Sequence, residues 1–171
     1  LVRAMEKLGC EIKAVESKTP QEYEPNLRRL ADSGFDLVIA VGVLLSKPLA
    51  KVAAEYPETR FAGIDGEDPH LSNTAVYLFR EEEGSFLAGA LAAMMSHKKK
   101  VGFIGGLNIP LIQKFEAGYR AGVKTISPLV HVLSAYTGSF SDAEKGKKLA
   151  NRQFDSGADI VYHAAGGCGT G

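Results

Sequence analysis

The chain has 171 residues, 45% of them hydrophobic and 23% charged, with twenty lysines and arginines balanced by twenty aspartates and glutamates. That length suffices for one sizeable core or two small lobes, and the cancelling charge gives no bulk field to draw the chain to nucleic acid or an anionic membrane. Cys10 and Cys168 lie far apart without metal or redox spacing, which argues against a disulfide framework or zinc site, and no apolar run approaches the ~18 residues of a membrane helix.

Leu1 to Leu8 reads as the last turns of a helix, with Gly9 as its C′ residue. Ile12, Ala14 and Val15 predict a short strand. Thr19-Pro20-Gln21-Glu22 has the form of a capping box with proline at the first helical position. Tyr23, Leu27, Leu30 and Ala31 continue an apolar stripe to Gly34, and Pro25 requires either a kink or a later helix start. Asp36 to Val41 is a buried-strand run ending at Gly42, followed by a helix from about Lys47 to Tyr56 that Pro57 closes. Arg60 to Asp65 is a strand ending in an Asp-Gly turn, and Thr74 to Phe79 is another with no helix between them. That break is where one sheet would end and the chain cross to a second. A long helix runs from Glu81 to about His97, acidic at its start and basic at its end as the macrodipole favours. Its Gly84, Ala88, Gly89 and Ala92 allow close packing. Lys98-Lys99-Lys100 is either the solvated end of this helix or a phosphate-binding patch.

Lys100 to Gly122 organises the remainder. Val101, Gly102, Phe103 and Ile104 form a strand buried on both faces, and Gly105-Gly106 ends it with a turn that lets a ligand or neighbouring backbone come close. Asn108 is the expected N-cap before Pro110, and Ile112, Phe115, Tyr119, Val123 and Ile126 recur at helical spacing. A strand around Leu129 to Ala135, a helix from Ser141 to about Ser156 with a Ser141/Glu144 capping box, and a strand from Asp159 to Tyr162 complete the chain. The β-α alternation predicts an α/β fold with parallel sheets covered by helices on both faces.

Parallel sheets bring their strand ends to one edge, where open α/β proteins bind ligands. The residues there are Gly42, Asp65, Gly105, Gly138-Ser139-Phe140 and Gly166. Each glycine also serves a tight strand-to-helix turn, and Asp65 also suits a turn. Phe140 sits at N′ of the expected helix, where a hydrophobic staple needs an apolar partner, but the staple position is Lys145. The aromatic is left to stack on a flat ligand or to be buried from elsewhere. The four histidines have no metal spacing, and Gly-x-Ser-x-Gly, His-Glu-x-x-His and Walker A motifs are all missing. No nucleophile–base pair emerges, so the expectation is binding without turnover, with no cofactor and no metal.

GFDLVIAVG (34–42), RFAGID (60–65), FREEEGSFLAGALAAMMS (79–96), KVGFIGGLNIPLIQKFEAGYRAGV (100–123), YTGSFSDAEKGKKLA (136–150) and GADIVYHAAGGCGTG (157–171) together resemble the basic membrane protein (BMP) family of bacterial substrate-binding lipoproteins, which includes purine nucleoside receptors. The resemblance implies a type I periplasmic-binding fold, with two Rossmann-like lobes, residues 1–79 and 80–171, closing on a ligand. It implies a nucleoside base clasped by aromatics, Phe140 among them, with Gly166 in a ribose-contacting loop and Gly42 and Asp65 lining the cleft. It further implies an ABC transporter permease as partner and a lipid-anchored protein of the cell envelope with its binding domain outside the cytoplasm. The family's first strand lies upstream of Leu1 and later ribose-binding positions lie beyond Gly171, so the chain is expected to be a fragment of both lobes. Cys168 stands where a small hydroxyl residue is expected. The competing reading is a cytoplasmic ligand-sensing effector domain of a transcriptional regulator with the same fold, and a Rossmann-type nucleotide enzyme ranks behind both.

Overall fold

Every strand pair in the computed structural model, which describes residues 2–171, is parallel. The strands fall into two three-stranded sheets, each within its own compact unit, the first ending at Leu78 and the second spanning Phe79–Gly171.

The first unit contains α1 (Val2–Leu8), α2 (Tyr23–Asp32), β1 (Leu37–Val41), α3 (Ser46–Glu55), β2 (Arg60–Ile64) and β3 (Thr74–Tyr77), with strand order β1-β2-β3. Gly9 ends α1 with φ 64° and an N–H that donates to the Met5 carbonyl at 3.0 Å; Leu1 of the expected helix lies outside the described residues. Leu27 and Ala31 of α2 and Leu49, Val52 and Ala53 of α3 pack on Val38, Ala40 and Phe61. The helix-free crossover from β2 to β3 is held by Asn73. Its side-chain amide donates to the carbonyls of Ala53 (2.9 Å), Tyr56 (2.9 Å) and Thr59 (3.0 Å). The Ala53 carbonyl is one of those that the end of α3 leaves without a helical partner.

Three expectations are corrected here. Ile12 to Val15 form no strand, because among the described residues they have no ladder partner. The Thr19 box does not form, because the Thr19 side chain accepts no backbone N–H and the Glu22 carboxylate does not take the Thr19 N–H. Glu22 instead accepts from the Lys18 N–H (2.9 Å) and the Thr19 hydroxyl (3.2 Å), and α2 starts later, after a 3-10 turn at Pro20–Glu22. Pro25 thus lies in the first turn, where its missing N–H breaks no helical bond. Finally, β1 is buried on one face only: Val38 and Ala40 are covered, while Leu37, Ile39 and Val41 are 50%, 48% and 67% exposed.

The second unit contains α4 (Glu81–Met95), β4 (Lys100–Gly105), α5 (Pro110–Ile126), β5 (His131–Tyr136), α6 (Ala143–Asp155) and β6 (Ile160–Ala164), with strand order β5-β4-β6. Central β4 is filled on both faces. Val101 and Phe103 meet Ala92 and Ala93 of α4 and Ile112, Tyr119 and Val123 of α5. Ile104 meets Ala165 and Cys168, with Leu149 and Ala150 of α6 beside them. Phe103 is ringed by Tyr119, Tyr136 and Tyr162 at centroid distances of 6.1, 6.3 and 6.0 Å. Of the expected α5 stripe, Ile126 is exposed.

Helices α4 and α5 touch through glycine. A methyl on Gly89 would overlap the Tyr119 carbonyl, and methyls on Gly118 and Gly122 would overlap the carbonyls of Glu82 and Phe86. Gly84, also expected to pack, faces open space. The Asn108 cap does not form; its side chain accepts from Gln113 Nε2 at 2.9 Å, and Ile109 holds the cap position. The triple-lysine turn is tied to the start of β6. Asp159 accepts from Ser96 Oγ (2.7 Å), the His97 N–H (2.8 Å) and the Lys98 N–H (2.9 Å), while Lys100 Nζ donates to the Ser156 carbonyl at 2.9 Å.

Two stability predictions arise from these contacts. Gly122→Ala forces α4 and α5 apart and is expected to cost about 1–3 kcal/mol, read as a lower urea midpoint of the second unit; an unchanged midpoint would contradict the close contact. The Lys98 N–H foremost, with Ser96 and His97, holds the Asp159 carboxyl below the usual aspartate range. A depressed folded value means stabilisation that is present above the unfolded value, near 3.9, and lost as pH falls through the folded one. Asp159→Asn is therefore expected to lower stability at neutral pH and flatten its acid loss below about pH 4, checked by urea unfolding across pH. An acid limb identical to that of the unmodified protein would refute it.

Candidate functional site

In the second unit, the crossover helices α5 and α6 lie on opposite faces of β4. The loop after β4 runs into α5, whereas the 3-10 turn after β6 (Gly166–Thr170) packs on the α6 side, so the two leave neighbouring strand ends toward opposite faces, the position at which open α/β sheets bind ligands. Three loops meet there, following Gly105, Tyr136 and Ala164.

Backbone bonds join these loops. The Gly106 N–H donates to the Ala164 carbonyl (3.0 Å), the Thr137 N–H to the Gly105 carbonyl (2.9 Å) and the Gly138 N–H to the Gly106 carbonyl (3.0 Å). Gly138 turns the chain with φ 71°, a conformation that L side chains rarely adopt. Thr137 then folds the loop on itself: its hydroxyl donates to the Ser139 carbonyl at 2.6 Å and accepts from the Ser139 N–H at 3.2 Å. The Ser141 N–H donates to Ser139 Oγ at 3.1 Å. From the β6 loop, the buried Cys168 thiol donates to the same Ser139 carbonyl at 3.2 Å.

Phe140 is held within this frame and is half-buried. Its ring rests on Gly106, where a methyl would overlap it, and Gly166, with φ 54°, packs against its ring and carbonyl. It also reaches the core cluster shared by α4 and α5. The cap that framed the sequence argument is corrected: Asp142, not Ser141, caps α6, accepting from the Lys145 N–H at 3.1 Å, so Phe140 stands one residue further from the helix. Gly105 faces inward, toward the Tyr136 ring and Ile112, whereas Gly106 meets Phe140. The structure thus gathers Gly105, Gly106, Ser139, Phe140 and Gly166 at one strand edge and adds Thr137 and the Cys168 thiol, both bonded to the Ser139 carbonyl. The hydroxyl of Thr137 beside Gly138-Ser139 is the sequence signal for the first of these.

The first unit places Gly42 and Asp65 at the carboxyl edge of its own sheet. Gly42 has φ 110° and donates its N–H to the Ile64 carbonyl at 2.9 Å. Asp65 adopts φ 62°, uncommon for a non-glycine residue, and its N–H donates to the Tyr77 carbonyl at 3.0 Å. Ser46 joins the two loops, donating to the Val43 carbonyl at 2.7 Å and accepting from the Glu67 N–H at 3.2 Å. A small depression there is lined by Gly42, Ser46, Gly63, Ile64, Gly66 and Glu67.

Electrostatically, the loops around Phe140 offer hydroxyls, peptide groups and one aromatic ring. Asp142 is committed to the cap, where the Lys145 N–H holds its carboxyl below the usual range. Behind the loops, Tyr136 donates to Glu116, which also pairs with Arg120 at 2.7 Å. Burial first, and then Glu116, push the Tyr136 phenol up to about 12. Burial alone would raise the Glu116 carboxyl, but bonds from Tyr136, Ser134 and Arg120 hold it below its ordinary value. Among the described residues no group of His, Cys, Asp or Glu is placed to hold a metal. This arrangement suits an uncharged ligand with a flat ring and hydrogen-bonding groups.

The whole chain, residues 1–171, matches the family model described as ABC transporter substrate-binding protein PnrA-like. Over 165 residues it is 35% identical to an ABC transporter nucleoside-binding protein BmpA of Lactococcus lactis, covering 96% of this chain and 47% of that protein. Over 173 residues it is 36% identical to basic membrane protein A of Borreliella burgdorferi, covering 99% and 50% respectively. A solved ABC transporter solute-binding protein from Aeropyrum pernix superposes with a TM-score of 0.86 at 33% identity, over 97% of this chain and 49% of that one. The chain spans about half the length of each, and its fold is the type I periplasmic-binding fold.

Ser46→Ala removes the bond between the two first-unit loops. It is expected to cost about 1 kcal/mol and to speed amide exchange at Glu67, measured by hydrogen–deuterium exchange. Unchanged exchange there would show that Ser46 does not hold the loop.

Proposed function

The chain belongs to the basic membrane protein family of PnrA-like ABC transporter substrate-binding proteins, and from that membership we propose that the intact protein is the solute-binding component of an ABC importer and takes a nucleoside. The observation that carries the ligand class is the environment of Phe140: an aromatic ring on a hydrogen-bonded, hydroxyl-bearing loop whose neighbouring carboxylate, Asp142, is spent on a helix cap. A nucleoside has the matching chemistry, a flat base for the ring and an uncharged sugar for peptide and hydroxyl groups. The relative from L. lactis, named a nucleoside-binding protein, supports the same class.

In this reading Phe140 stacks on the base, the loop at Gly166 approaches the ribose, and the Gly105-Gly106 turn shapes the site. Gly42 and Asp65 contribute from the first lobe, residues 1–79, and the second lobe comprises residues 80–171. The protein binds and releases its ligand without catalysis and without a cofactor or metal. Its partner is the importer's permease, and it works outside the cytoplasm on a lipid anchor. Affinity comes from burying the base against apolar surface, with a few polar groups fixing its orientation.

Isothermal titration of the intact protein with inosine, adenosine and guanosine tests the reading. Binding of at least one nucleoside is expected, and Phe140→Ala is expected to cost roughly 1–3 kcal/mol of it, the scale of base stacking on an aromatic. Clear binding of another solute with no binding of any nucleoside would overturn the ligand class, and unchanged affinity in Phe140→Ala would overturn the stacking role.

A further inference from the structure

We infer that Gly106 and Cys168 are positioning residues for Phe140: Gly106 is the floor on which the ring rests, and Cys168 is the latch that fixes the loop carrying it. The inference rests on the nucleoside-binding reading for its ligand and on separate contacts for its geometry. Gly106 is buried just past the end of the central strand, and its α-carbon lies so close to one edge of the Phe140 ring that a methyl would overlap it. A methyl would also press on the Ser139 carbonyl at 3.1 Å, so the ring and the loop must move together. Glycine is required here for space, because Gly106 is not among the positive-φ residues.

The Ser139 carbonyl is the hub of the loop. It accepts from the Thr137 hydroxyl within the loop and from the Cys168 thiol across it. The thiol bond is the side-chain tie between the β5 loop and the β6 loop, and it fixes the residue immediately before Phe140. The glycines preceding Cys168 close the other side: Gly166 and Gly167 lie against the Phe140 carbonyl, so that side chains there would approach it at 3.2 and 3.1 Å. Burial keeps the thiol from exchanging its partner for water. A serine at position 168 keeps a donor, whereas an alanine leaves this second bond unmade.

A ring held on one edge, with its loop fixed on both sides, does not have to be ordered when a ligand arrives. That removes part of the conformational cost of binding. A purely structural role would make substitutions at Gly106 lower affinity regardless of the side chain at 140. A positioning role makes the loss depend on the ring.

The test is a double-mutant cycle in the intact protein, read by titration with guanosine, adenosine and inosine. Gly106→Ala is expected to weaken nucleoside binding about tenfold when Phe140 is present and less than about twofold in the Phe140→Ala background. Equal losses in the two backgrounds, or no loss in either, would overturn the role of Gly106. Should Gly106→Ala fail to fold, the cysteine arm decides. In ligand-free protein, Cys168→Ala is expected to speed amide exchange at Ser139 and Phe140, and Cys168→Ser to leave it near that of the unmodified protein. Unchanged exchange in Cys168→Ala, or equal acceleration in both variants, would overturn the latch. The exchange measurement needs no ligand, so failure of the nucleoside reading shows as absent binding to unmodified protein and is distinguished from failure of the seat.

Discussion

The second unit depends on β4 being enclosed on every side. It pairs with β5 and β6 along both edges, and Val101, Phe103 and Ile104 are almost entirely removed from solvent on its two faces. Such a strand has no room for a large side chain at every position, and glycine supplies the space. Gly102 leaves room for Gln153, Gly105 for the Tyr136 ring and Gly106 for the Phe140 ring. Gln153 uses its place to donate to the carbonyls of Phe103 (3.0 Å) and Leu133 (3.3 Å), carrying α6 onto the sheet. Interiors packed to crystal-like density transmit such choices outward. The residues that let β4 be central therefore also set where its neighbours' side chains stand at the carboxyl edge.

From that constraint the site follows in steps. A central parallel strand with crossovers on opposite faces opens a crevice at its end. The peptide groups exposed there must be paired, and Thr137, Ser139 and Cys168 complete the pairing left by the backbone. The loop that results is short, cross-linked by hydrogen bonds and carries one aromatic ring. In the first unit the same parallel logic places Gly42 and Asp65 at the strand ends, with Ser46 joining their loops. Each unit thus presents hydrogen-bonded loops at the carboxyl ends of its own strands.

Local chemistry made most of the elements legible in the sequence. The β-α alternation, the compact apolar runs of β2 and β4 and the amphipathic stripe of α5 depend on neighbours a few residues away. The errors arose where the deciding partner is distant. Ile12 to Val15 have strand composition, but a strand exists only through its ladder. Leu37, Ile39 and Val41 belong to a continuous apolar run that reads as buried on both faces, yet α2 and α3 cover only the other one. At α6, Ser141 and Asp142 are both competent caps, and the carboxylate of Asp142 takes the Lys145 N–H. With Asp142 as the cap, the staple position falls on Gly146, and the partners of the Phe140 ring, Gly106 and Gly166, lie on two other loops. Sequence reasoning singled out Phe140 and Gly166 but not the contacts that seat them, because those join positions more than twenty residues apart in the chain.

The central claim is that the strand-end loops of the second unit present Phe140 to a nucleoside base. The most direct measurement is a crystal structure of the intact protein grown with guanosine. The base is expected to lie face-on to the Phe140 ring at van der Waals separation, about 3.5–4 Å, with its sugar toward the loop at Gly166 and the ring still resting on Gly106. A nucleoside bound elsewhere, or a Phe140 ring turned away into the core while the ligand is held by other residues, would contradict it.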